Sequence, residues 1–135
     1  MEKFTWTRNY NTNIRIIDSQ HKELFERIDN LALALYKGDS KYYIQSMIAF
    51  LEEYIENHFS LEEHLMKIND YHKFTEHFKQ HESFRKIFNG IKEDFAKKGG
   101  DSYLGIRIEK EVRKWWEQHV LRIDMLYVPY IKIIE

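Results

Sequence analysis

Apolar side chains recur along this chain at steps of three and four, the period of helices that bury one face. From Ser19 to Lys37 the stripe is His21, Leu24, Ile28, Leu31 and Leu35. From Lys41 to Lys67 it is Ile44, Ile48, Leu51, Ile55, His58, Glu62 and Leu65. From Lys73 to Ala96 it is Phe74, His77, His81, Phe84, Phe88, Ile91 and Phe95. A fourth stripe starts near Asp101 or Ser102, ends around Leu121 and includes Ile108, Val112, Trp115, Trp116 and His119. Asp18 or Ser19 suits the first N-cap and Ser40 the second. Gly38 falls where a left-handed C′ residue is wanted, and Asn69-Asp70 and Gly99-Gly100 break the pattern. Connections this short make successive helices antiparallel, so the pattern predicts an all-α, up-down-up-down four-helix bundle. Residues 1–18 lack the period, but Phe4, Trp6, Ile14, Ile16 and Ile17 predict an ordered arm packed on the body. Residues 125–135 are too apolar for a free tail and are expected to pack on the bundle or on a partner. With no repeat or linker in between, the chain reads as one domain over 1–135: arm 1–18, bundle 19–121, C-terminal segment 122–135.

Polar residues inside these stripes change the picture. His21 opens the first helix, His58 and Glu62 lie near the end of the second, His77 and His81 open the third, and His119 ends the fourth with Asp124 just beyond. At about 1.5 Å of rise per residue, alternating helix direction brings all seven to one layer at one end of the bundle. His58 and Glu62, like His77 and His81, are four apart, with Cβ atoms about 5–6 Å apart on one face. Either pair alone is commonly structural or exposed. Five imidazoles and two carboxylates on four core stripes are different, because burying each unpaired costs several kcal/mol. Each four-apart pair can hold one metal or bridge two, and a transition metal resolves that cost. Zinc alone does not, since one tetrahedral ion takes four. His64 lies off its stripe and His72 in a turn, so both are read as solvent-facing. His81-Glu82 begins like HExxH, but Arg85 stands where the second histidine is needed, so that protease motif is absent.

Composition narrows the classes further. Lys plus Arg is 21 and Asp plus Glu 22, which gives no electrostatic case for nucleic acid. No apolar run is long enough to span a bilayer, and the start has no signal-peptide core, so no membrane association is expected. Cysteine is absent, excluding disulfides, thiolate metal sites and cysteine catalysis. A cytoplasmic location is the default expectation.

The arm's Phe4-x-Trp6, Ile17-Asp18-Ser19-Gln20-His21, His58-Phe59-x-x-Glu62-Glu63-x-Leu65-Met66 with Tyr71, His77-x-x-x-His81, and Trp115-x-x-x-His119-x-x-x-x-Asp124 together resemble the single-domain bacterial hemerythrins. The resemblance covers nearly the whole chain. It implies reversible dioxygen binding at two non-haem iron ions joined by an oxo or hydroxo bridge. By that pattern His77, His81 and His119 hold one iron, His21 and His58 the other, and Glu62 and Asp124 bridge them. The second iron then keeps one open position, where a ligand enters. Phe25, Ile55, Phe59, Trp115 and Trp116 are the candidates for an apolar oxygen pocket that keeps water out. Spacing alone also allows manganese or a mixed pair.

Two positions depart from the family. Where it commonly has Trp-Leu before the last histidine, with the leucine over the oxygen position, this chain has Trp115-Trp116. Trp116 is expected to crowd the pocket or to lend it an indole N–H. Where a proline often follows the Tyr71 position, His72 stands here. The expected function is oxygen storage, transport, delivery or scavenging by a monomeric protein that is not an enzyme. One alternative is a di-iron enzyme acting on peroxide or nitric oxide, although ferritin-like oxidases use a more carboxylate-rich set. Another is an oxygen or redox sensor whose signal reaches a separate partner through residues 125–135.

Overall fold

The computed structural model describes residues 4–38 and 40–135. The first three residues of the expected arm lie outside the described residues, as does Asp39. Four long helices form the body: α1 (Arg15–Lys37), α2 (Lys41–Ile68), α3 (Phe74–Lys98) and α4 (Ser102–Gln118). Each packs on its sequence neighbours, and α4 closes the ring against α1. This is the antiparallel four-helix bundle that the stripes predict. Among the described residues there is no strand.

The helix ends differ from the cap residues read off the sequence. α1 begins at Arg15, four residues before Ser19, with Ile14 at the N-cap. Asp18 sits inside the helix and reaches back to accept from Thr12 N at 2.9 Å, Thr12 Oγ1 at 2.8 Å and Asn13 N at 3.2 Å. It thereby fixes the turn in which Asn13 is left-handed (φ 64°). Ser40 does precede α2, but its side chain makes no capping bond. Asp101 caps α4 by accepting from Leu104 N at 2.8 Å, and Gly38 is left-handed (φ 78°) as expected.

The largest correction is at the end of α4. The α-helical pattern stops at Gln118, short of Leu121, and a π-helical turn runs His119–Asp124. A short helical segment (Met125–Tyr127) and a 3₁₀ turn (Val128–Tyr130) follow.

The core divides in two. The larger part runs through the bundle and includes Leu24, Ile28, Ile44, Leu51, Phe84, Ile108 and Trp116. A smaller cluster of Ile14, Ile17, Leu65, Met66, Tyr71 and Tyr127 seals one end, with Val128 and Ile131 against it. The C-terminal segment therefore packs on this chain. Asn69 accepts from Lys132 N and Ile133 N at 2.7 and 2.8 Å and donates to Ile133 O, while His64 meets Glu135 O at 2.8 Å. The arm is ordered too. Phe4 stacks on Phe25 at 3.8 Å, and its N–H bonds to Asp29.

Candidate metal centre

All seven polar stripe residues are buried, none more than 2 % exposed, and they come together at one end of the bundle. Their donor atoms form two overlapping groups, each with all donors within 4.8 Å of one another. One holds His77, His81, His119, Glu62 and Asp124; the other holds His21, His58, Glu62 and Asp124. Both carboxylates belong to both groups.

The π turn explains how His119 and Asp124 share one centre. In an α-helix, residues five apart point in different directions. A π turn closes its hydrogen bonds over five residues and returns the fifth to the same face. Asp124 then faces inward, with Oδ1 2.9 Å from His119 Nε2 and 3.1 Å from His77 Nε2, and Oδ2 3.2 Å from His21 Nε2. Its two oxygens thus divide between the two groups. Glu62 behaves differently. Its Oε1 lies 3.3 Å from His58 Nε2 and 3.2 Å from His81 Nε2, while Oε2 accepts a 2.7 Å bond from the Tyr127 hydroxyl.

The donor chemistry fits metal. His58 Nδ1 lies 2.6 Å from Gln20 Oε1, and His81 Nδ1 lies 2.7 Å from Glu63 Oε2. Both acceptors assign the imidazole proton to Nδ1, leaving Nε2 as a lone pair aimed at carboxylate oxygen. No Nε2 of the five histidines has a hydrogen-bond partner, nor does Glu62 Oε1 or either oxygen of Asp124. Lone pairs facing lone pairs in a dry core repel unless a cation lies between them. Protons are the weaker substitute. Burial pushes His81 down, but the neighbouring Glu62 and Glu63 carboxylates outweigh this and raise it to about 9. At Glu62 and Asp124, burial and mutual repulsion raise the pKa, but the surrounding imidazoles outweigh them and hold both below the usual carboxylate range. His58 and His119 are lowered, chiefly by burial, which favours the neutral form a metal needs. Burial, with the nearby carboxylates, keeps the Tyr127 phenol protonated well above its usual range, so it remains a donor.

Aromatic rings wall the centre. Phe59 stacks on His81 at 3.8 Å and on Trp116 at 5.5 Å, and Trp115 stacks on His119 at 4.4 Å. Trp116 is wholly buried against His58, His21 and His119, and Ile55 is buried in the same core. Phe25 makes its ring contacts with Phe4 and Tyr10, at the seat of the arm. His64 and His72 are exposed, as expected.

Sequence reasoning missed the residues that orient the donors: Gln20, Glu63 and Tyr127. Tyr127 had a signal, since it stands three after Asp124 in an otherwise apolar segment. Gln20 and Glu63 adjoin ligand candidates in sequence, but nothing in their spacing shows which imidazole each one meets.

The family model described as "Hemerythrin HHE cation binding domain" matches residues 12–131. A bacteriohemerythrin of Clostridium acetobutylicum is 33% identical, over 93% of this chain and 98% of that protein. One from Methylococcus capsulatus is 29% identical, over 96% and 97%. The hemerythrin of Phascolopsis gouldii is 27% identical, over 93% and 91%. A crystal structure of a hemerythrin variant, with one leucine replaced by tyrosine, superposes with a TM-score of 0.77 at 23% identity, covering 98% of this chain and 100% of that one. That likeness shows the fold.

Proposed function

The chain belongs to the hemerythrin family, whose members bind dioxygen at a non-haem di-iron centre, and on that premise we propose how its own residues carry the function. His77, His81 and His119 would hold one iron, His21 and His58 the other, and Glu62 and Asp124 would serve both. Two irons so held would supply the electrons for reversible two-electron reduction of dioxygen. The supporting observation is the pair of overlapping donor groups whose Nε2 and carboxylate oxygens have no protein partner.

The protein's own part is to orient, exclude water and balance charge. Gln20 and Glu63 fix the rings of His58 and His81, and Tyr127 holds the outer oxygen of Glu62. Ile55, Phe59, Trp115 and Trp116 form the apolar shell that keeps water from displacing the ligand, with Phe25 packed behind them at the seat of the arm. Two carboxylates against two divalent ions leave the buried site with modest net charge. The whole chain is one domain that works as a monomeric oxygen-binding protein in the cytoplasm, for storage, delivery or scavenging, and not as an enzyme.

Metal content per chain, with optical spectra of the reduced protein before air, after air and after oxygen removal, tests this. Two irons with charge-transfer bands that come and go with oxygen are expected. Bands that form once and never reverse would replace the carrier with a di-iron oxidase, peroxidase or redox sensor.

A further inference from the structure

Among the described residues, every buried side-chain N or O atom without a partner belongs to the seven proposed ligands, with one exception: the indole Nε1 of Trp116. The neighbouring aromatic donors are all satisfied. Trp115 Nε1 donates to Ser83 Oγ at 3.2 Å, the Tyr54 hydroxyl to Gln20 O at 2.6 Å, and the Tyr127 hydroxyl to Glu62 Oε2 at 2.7 Å. A fully buried N–H left unpaired is destabilising, and native proteins retain few of them.

Position suggests what pairs it. The Trp116 ring lies 5.5 Å from His58 and 6.4 Å from His21, centre to centre, and 6.0 Å from His119. His58 and His21 make up the two-histidine group, which has one donor fewer than the other. The remaining ring neighbours are Phe59 and Phe84 at 5.5 and 5.4 Å, Trp115 at 5.1 Å and Tyr54 at 5.7 Å. Of these only Tyr54 carries an oxygen, and it makes no bond to the indole.

We propose that the Trp116 N–H is the recognition donor for a small anion held at the two-histidine group, so that this pocket selects ligands with an acceptor atom beyond the one that meets the metal. The inference rests on the di-iron reading above. It makes Trp116 a hydrogen-bonding group in the pocket rather than a filler of it.

Azide is the probe. It is titrated into the oxidised, iron-loaded protein and into the loaded Trp116→Phe and Trp116→Leu variants, with iron per chain measured in each. Loss of a hydrogen bond to a charged ligand predicts roughly 10- to 100-fold weaker azide binding in both variants. Equal affinity in Trp116→Phe, or tighter binding in both, would show that bulk alone matters and overturn the proposal. Ultraviolet resonance Raman of the wild-type indole provides a reading that needs no variant. Its N–H-sensitive band should shift when azide is added, and an unmoved band overturns the proposal. A wild-type chain that takes up no iron overturns this inference and the di-iron reading together. Iron-loaded protein with unchanged azide affinity in Trp116→Phe overturns this inference alone.

Discussion

The two ends of the bundle solve the problem of a buried core in opposite ways. At one end Leu31, Ile44, Leu104 and Ile108 fill the space with hydrocarbon, and α4 packs closely there at Gly105. A Cβ at that glycine would stand 2.7 Å from Leu35 Cδ2 and 2.9 Å from Ile44 Cδ1. At the other end five imidazoles and two carboxylates occupy the same layer, all buried. The first end is stabilised by area removed from water and needs nothing further. The second carries orphaned lone pairs and becomes favourable only when cations fill it. Stability at one end is thus a property of the sequence, and at the other of sequence plus metal.

Removing the metal tests that contrast most severely. Chelated, iron-free protein should melt at least about 10 °C below the iron-loaded form by calorimetry, because the loss of roughly 3 kcal/mol or more shifts a domain of this size by about that much. Equal melting temperatures would erase the distinction. Leu104→Ala attacks the other end. It should cost about 2–5 kcal/mol, and by nearly the same amount in the iron-free and iron-loaded proteins, as read by denaturant unfolding of both. A loss confined to one form would mean that the ends are coupled. Gly105→Ala should cost about 1–3 kcal/mol, again in both forms and with iron content unchanged, because the added methyl meets Leu35 and Ile44. The smallest effect belongs to the metal end. Tyr127→Phe removes the donor to Glu62 Oε2 and should cost about 1–2 kcal/mol, accompanied by faster iron release to a chelator. Unchanged release would reduce Tyr127 to packing.

The sequence revealed these ends unequally. Helix number, direction and the shared layer of the seven polar residues follow from period and rise, because a stripe of 3.6-residue period fixes a face and short loops fix direction. The helix starts were less legible. Ser19 looks like a cap by residue type, yet Asp18 reaches back from within α1 to Thr12, a tertiary choice that propensity does not encode. The five-residue step from His119 to Asp124 was visible, but the π turn that makes it work was not, since local sequence gives little warning of a widened turn. The residues that hold the imidazoles escaped for a different reason. Gln20 is on α1 and its partner His58 on α2, and Glu63 on α2 meets His81 on α3. Such pairs follow from helix rotation, which the stripes define only to within a face.

The π turn also bears on how this chain can vary over time. A π turn is equivalent to an α-helix carrying one residue too many. Winding the same residues as a regular α-helix would leave the extra residue unabsorbed and rotate all that follows by roughly 100°. Asp124 would leave its histidines, Tyr127 would leave Glu62, and the seal made by Val128 and Ile131 would go with them. Leu121 and Arg122, both exposed, are free to change identity. Between these two ligands, descent must preserve one widened turn more strictly than the residues that fill it.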